Sequence, residues 1–133
     1  MAIVVVDGGE SIALQLLANK IATPENLVLR LYTNDKTPAE ADVVGNYTEA
    51  TGYGYAAKTL TGASWTVSGT APTQIAYAKQ TWTFTGALGN VYGYYYTRVT
   101  STDLVAAERF SDGPYNIVSA GDYIDITPQI TAD

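Results

Sequence analysis

Thirteen Asp and Glu residues dominate the reactive side chains of this 133-residue chain, which has seven Lys and Arg, no His and no Cys. The chemistry open to it is carboxylate chemistry, with Lys and Tyr in support. Two carboxyl groups about 5–10 Å apart across a sugar make a glycosidase pair. The candidates are Glu40 with Asp42 and Asp122 with Asp125. The first pair falls in a polar loop rich in turn formers. The second is three residues apart on an expected strand, so its members point to opposite faces. Glu108 is a further single carboxylate to weigh. Without His, a Ser-His-Asp triad cannot be built, and neither can zinc sites that need His or Cys. The chain reads as a protein that is not an enzyme, with no catalytic, cofactor-binding or metal-ligating residue assigned.

Other motifs carry weaker chemistry. Gly52-Tyr53-Gly54-Tyr55-Ala56-Ala57 fits G-x-G-x-x-A, but a dinucleotide fingerprint needs a strand before it and a helix after it. Here it lies in a Tyr-rich segment of period two, with no βαβ unit around it. Asp7, Asn34, Asp35, Asp103 and Asp112 sit near expected loops and are the residues a loop calcium would use, though none falls in an EF-hand pattern. Asn46-Tyr47-Thr48 is a formal glycosylation sequon, meaningful only in a eukaryotic secretory protein. Trp65, Trp82, Tyr53 and Tyr94 are the candidates for a sugar-stacking platform; the competing reading makes both Trp core anchors.

The elements that must position these residues follow from periodicity. Residues 2–6 are apolar and mostly β-branched, an edge strand or an arm reaching a neighbour. Asp7-Gly8-Gly9 breaks that run and offers a helix cap. Ile12, Leu14, Leu16, Leu17 and Ile21 then predict a short amphipathic helix over about 9–20, stopped before Pro24. From Asn26 the period is two, with Leu27, Leu29 and Leu31 on one face and Val28, Arg30 and Tyr32 on the other. Further strands are expected near 52–59, 63–69, 74–85, 91–99, 103–110 and 122–127, separated by Gly- and Pro-rich turns. The expected fold is all-β: an antiparallel β-sandwich of Greek-key or jelly-roll type with one short N-terminal helix. It forms a single domain over 1–133, with residues 1–8 as the arm or edge strand. The expected core contains Leu27, Leu29, Leu31, Trp65, Trp82, Phe84, Ile124 and Ile126.

Composition bounds the partners. The net charge is −6 and the seven cations are scattered singly. No basic stripe exists to displace counterions from phosphates, so nucleic acid is disfavoured, as are anionic membrane surfaces. No apolar run approaches the roughly 18 residues of a membrane span. The apolar start lacks a basic n-region and does not read as a secretory signal. Eleven Tyr stand against two Phe and two Trp. A Tyr needs an apolar wall for its ring and a partner for its hydroxyl, so many Tyr on strands imply half-buried sheet surface of a kind another protein covers. The Ile3-Val4-Val5-Val6 run would be an exposed apolar strand unless paired, which points to a homo-oligomer, trimer or dimer.

The order of segments resembles a family of small virion structural proteins of tailed bacteriophages. It is carried by Leu27-Val28-Leu29-Arg30-Leu31-Tyr32-Thr33-Asn34 running into Thr37-Pro38, then Tyr47-Thr48-Glu49-Ala50 and Gly54-Tyr55-Ala56-Ala57-Lys58-Thr59-Leu60. Further on come Gln80-Thr81-Trp82-Thr83-Phe84, Val91-Tyr92-Gly93-Tyr94-Tyr95, Ala107-Glu108-Arg109-Phe110, and Gly121-Asp122 leading to Ile126-Thr127-Pro128. The ordered set covers nearly the whole chain, and it carries no catalytic residues. It implies a phage particle component made in the host bacterial cytoplasm. The favoured form is a capsid decoration (cement) protein on the outside of the shell, bridging capsomers, with the major capsid protein as partner. A tail, baseplate or fibre accessory protein, partnered by tail proteins, is the rival. A carbohydrate-binding β-sandwich module comes third.

Overall fold

The computed structural model describes residues 3–21 and 23–132. In chain order the elements are β1 (Val4–Val5), α1 (Asp7–Leu17), β2 (Leu27–Tyr32), β3 (Lys58–Leu60), β4 (Thr66–Ser68), β5 (Thr73–Ala76), β6 (Gln80–Thr83), β7 (Gly89–Val91), β8 (Gly93–Arg98), β9 (Leu104–Arg109), β10 (Tyr115–Ile117), β11 (Tyr123–Ile126) and β12 (Gln129–Ala132). Two single turns of 3-10 helix, Val44–Asn46 and Gly62–Ser64, sit in the connections. The chain is mostly β, with one α-helix and antiparallel pairing throughout the described residues.

The strands form several small sheets. The largest has the order β1-β9-β8-β2-β3; the others are β12-β5-β4, β11-β6 and β10-β7. From β5 onward the pairing is nested: β5 with β12, β6 with β11, β7 with β10, and β8 with β9. The Tyr-rich strand β8 is the middle of the five-stranded sheet, and all six of its residues are buried.

That sheet is covered on both faces. On one, Leu29, Leu31, Tyr94, Tyr96 and Ala106 join Trp82, Phe84, Ile117, Ile124 and Ile126 of the smaller sheets in the main core. On the other, Tyr32, Tyr95, Leu104 and Ala107 pack with Val6 and Tyr47 in a second core. Six of the eight expected core residues are buried; Leu27 and Trp65 are half-buried against the same cluster. On the opposite face of β2, Val28 and Tyr32 are also buried, Tyr32 beneath Tyr47 and its loop.

Several elements differ from their sequence expectation. The 52–59 segment is a strand only from Lys58. Gly52, Tyr53 and Gly54 all have positive φ (78°, 52° and 79°), a left-handed turn that extended alternation cannot contain. The 74–85 run is split into β5 and β6 at 77–79. Strands β7, β10 and β12 form in segments read as turns or left unassigned. The Ile3–Val6 run is tethered within the chain: Val4 and Val5 pair with Ala107 and Ala106 of β9, and Val6 is fully buried. Residues 1 and 2 of the expected arm lie outside the described residues.

Helix α1 begins earlier than periodicity suggested. Val6 is the N-cap, with no side-chain cap, and Asp7 and Glu10 supply negative charge in the first turn, where the helix dipole favours it. Asp7-Gly8-Gly9 is thus the first helical turn, not a cap before it. Gly9 is the buried residue of α1, and a Cβ there would overlap the Val105 carbonyl oxygen of β9. The helix ends in a Schellman turn, well short of Pro24. Asn19 takes φ 55°, its N–H reaches Leu16 O at 3.1 Å, and Lys20 N–H reaches Gln15 O at 2.8 Å.

Two substitutions test this packing by chemical denaturation. Trp82 is 4% exposed and its indole N–H donates to Ala56 O at 2.8 Å, so Trp82→Ala is expected to cost about 3–5 kcal/mol. Gly9→Ala is expected to destabilise by about 1–3 kcal/mol, since α1 must move off β9. An unchanged midpoint for either would contradict the corresponding contact.

Candidate functional site

The tyrosines and acids seen in the sequence meet as pairs. A buried ring carries a hydroxyl that must find a partner, and a carboxylate in a loop is the strongest available acceptor. Tyr47 donates to Asp42 at 2.7 Å, Tyr55 to Glu49 at 2.9 Å, Tyr94 to Glu108 at 2.7 Å and Tyr115 to Asp112 at 2.5 Å. Tyr32 donates to the Lys36 carbonyl at 3.1 Å, while Tyr77 and Tyr96 accept the backbone N–H groups of Thr61 and Gln129. No buried side-chain polar atom among the described residues lacks a partner.

Ion pairs extend these contacts. Arg30 reaches both Glu49 carboxylate oxygens at 3.0 Å and donates from Nε to Thr97 at 3.0 Å. Arg98, buried at the end of β8, meets Glu25 at 2.8 Å, and Glu25 also accepts Thr100 N–H at 2.6 Å. Lys36 lies 2.8 Å from Asp42; Arg109 pairs with Asp35 and stands over the Tyr92 ring. Arg30 on an otherwise apolar strand was the visible signal of such a network, since a half-buried cation needs a partner. Which acid supplied it was not readable, because Glu49 is distant in sequence and reaches Arg30 through a loop.

The structure separates most residues singled out in the sequence. Asp42 is buried with Lys36 and Tyr47, while Glu40 is exposed. Asp122 accepts the Val118 and Ser119 N–H groups, whereas Asp125 on the outer face meets Thr81 and Lys79. Of the loop residues weighed for calcium, Asp7 and Asp103 border one groove. Asn34 instead bonds Asn46 O and Thr48 N–H, Asp35 holds Arg109, and Asp112 holds Tyr115. No group of three or more carboxylates is placed to hold a metal among the described residues. Asn46 accepts Val43 N–H with its side chain.

The sugar-stacking platform does not assemble. Trp82 and Tyr94 are buried, and Trp65 packs edge-on against Tyr77 and Tyr96. Of those four, Tyr53 alone is exposed, at 49%; the other exposed tyrosine is Tyr123. Tyr55, Tyr77, Tyr92 and Tyr115 are half-buried, as the tyrosine content suggested, whereas the rings of β8 face protein on both sides because the sheet is covered on both sides.

Of the exposed large apolar side chains, three lie on α1. Leu17 is 85% exposed and Leu14 66%, with Leu16 also exposed. Val43 and Val44 are exposed across a groove that Ile12 and Leu104 line. No helix among the described residues is long and apolar enough to cross a membrane.

The bonded groups titrate away from their ordinary ranges. Burial raises the phenol pKa of Tyr32, Tyr47, Tyr55, Tyr94 and Tyr96, and pushes Tyr95 up to about 12. The hydrogen bond to Asp112 raises Tyr115 to about 12. Such phenols are fixed as neutral donors near neutral pH, and they brace structure in that role. Burial pushes the Asp42 carboxyl up, but Lys36, Tyr47 and the Ala39 N–H together outweigh it and hold it low. Glu25 is held low chiefly by the Thr100 N–H, and Asp122 by the Val118 N–H.

Stability should therefore fail at both ends of the pH scale. Raised phenol pKa values contribute stability that is complete below about pH 10, where the unfolded chain ionises, and lost as pH rises further. Lowered carboxyl values contribute stability present above about pH 4 and lost as pH falls. Tyrosinate absorbance should rise together with loss of the β circular-dichroism signal in an alkaline titration. Ionisation of all eleven tyrosines in a chain still folded at pH 12 would contradict the buried bonding. Comparison with protein-family models, curated proteins and solved structures finds no match to this chain.

Proposed function

We propose that this chain is a structural component of a tailed-bacteriophage particle, and specifically a capsid decoration protein that bridges capsomers on the outside of the shell. The fold proposed with it is a single β-sandwich of jelly-roll order. The three pairs nested around the β8–β9 hairpin follow the pairing scheme of that architecture, which is common among viral capsid and lectin domains. The observation that carries the functional reading is the direction in which the side chains are used. Tyr47, Tyr55 and Tyr94 bond their hydroxyls to Asp42, Glu49 and Glu108 within the fold, while apolar side chains gather on an exposed helix. That division suits a module bound by other proteins better than one that transforms a substrate. The ordered sequence resemblance supplies the phage setting. The net charge of −6 keeps a free subunit soluble and discourages contact with packaged DNA.

A bridging site exists only where neighbouring capsomers are correctly spaced, so attachment should favour expanded shells over isolated capsid subunits. Electron cryo-microscopy of the virion should place density for this chain on the shell exterior. Particles made without it should assemble and then lose DNA at a lower temperature. Density in the tail, with unchanged heat resistance of the shell, would replace the decoration reading with the tail accessory one.

A further inference from the structure

Helix α1 touches the rest of the fold mainly at its first turn, where Gly9 lies against β9. From Ser11 to Asn19 it carries no charge, and its leucines face water. A helix that is apolar on several sides is normally buried. Positions 7, 10, 14 and 17 follow the three-and-four spacing of a helix-packing seam, with two acids followed by two leucines. Lys20 lies just beyond, after the Schellman turn, and makes no ion pair within the described residues. Asp7, Glu10, Leu14 and Lys20 surround one surface hollow.

We propose that a second copy of this chain covers this face, with the two α1 helices packed antiparallel about a two-fold axis near Leu14. Charge selects the partner. In an antiparallel pair centred on position 14, the C-cap Ala18 lies opposite Glu10, so Lys20, just past the helix end, is brought to the acidic first turn of the second copy. Each Lys20 then faces Asp7 and Glu10 of the second copy, with the leucines meeting in the uncharged middle. The helix dipoles are opposed, which also favours the pair. Elsewhere two chains of net charge −6 repel each other, and the uncharged stretch is where they can approach. The contact is isologous, so it closes at two subunits. Val43 and Val44 border the groove beside α1 and widen the apolar area available. The pairing rests on the helix and does not depend on the virion reading.

Analytical sedimentation of the purified full chain tests it without any phage component. The chain should be a dimer at tens of micromolar. Leu17→Glu, at a largely exposed position, should leave circular dichroism unchanged and weaken dimerisation roughly 100-fold or more, since each substitution acts twice. Lys20→Glu should weaken it less, and adding Glu10→Lys to Lys20→Glu should restore it. A wild-type monomer, a trimer, or a dimer indifferent to Leu17→Glu would each overturn the proposal. A monomer whose Leu17→Glu variant no longer attaches to particles would assign α1 to the shell and overturn it too.

Discussion

A phenol hydroxyl cannot be left unbonded inside a protein, and this fold places tyrosine where phenylalanine would ordinarily serve. Strand β8 puts Tyr94, Tyr95 and Tyr96 in succession through the middle of a sheet covered on both faces. Alternation sends Tyr94 and Tyr96 into the main core and Tyr95 into the second. Satisfying such rings draws in partners from both near and far along the chain: Glu108 for Tyr94, the Gln129 backbone for Tyr96, Glu49 for Tyr55 and Asp42 for Tyr47. Loops that could otherwise have stayed mobile are thereby tied to strands. The acidic composition and the tyrosine content are two parts of one arrangement.

The second core shows how far this reaches. Tyr32, Tyr47 and Tyr95 form a cluster, with ring centroids 5.0 Å apart for Tyr32–Tyr47 and 5.2 Å for Tyr47–Tyr95. Tyr47 comes from the long connection between β2 and β3. Its hydroxyl meets Asp42, which in turn holds Lys36. One aromatic residue therefore fixes a polar connection that has little regular structure of its own. Val6 completes the same cluster, so the N-terminal strand and this loop are anchored on a shared apolar floor.

Legibility from sequence followed the strength of the local signal. Alternation at Leu27, Leu29 and Leu31 and at Ile124 and Ile126 correctly marked inward faces. The helix was readable as a helix, but its ends depended on backbone geometry at Gly9 and Asn19 that hydropathy does not encode. The Gly52–Gly54 turn was misread because tyrosine alternates with glycine there as it would on a strand. Strands β10 and β12 are short, and their pairing partners are far away in sequence; nothing local marks Tyr115–Ile117 as a strand without β7 beside it. The tyrosine–carboxylate pairs were hidden for a different reason: Tyr47–Asp42, Tyr55–Glu49 and Tyr115–Asp112 are close in sequence, but irregular loop paths bring them together and periodicity does not encode those.

Nested pairing also sets an order on the loss of chain entropy. The hairpin β8–β9 closes across Val99–Asp103 alone, the cheapest connection among the nested pairs. Bringing β5 to β12 directly would tie together the two ends of residues 77–128. Once the inner pairs have formed, that same step closes only the short remainders around β6 and β11. The outermost strands thus depend on the innermost ones for an affordable route to their partners. On a ribosome the consequence is sharper, because β12 is made after β1 to β11. The β4–β5 pair must then wait, with the other edge of β5 unpaired and largely uncharged, until β12 emerges to cover it.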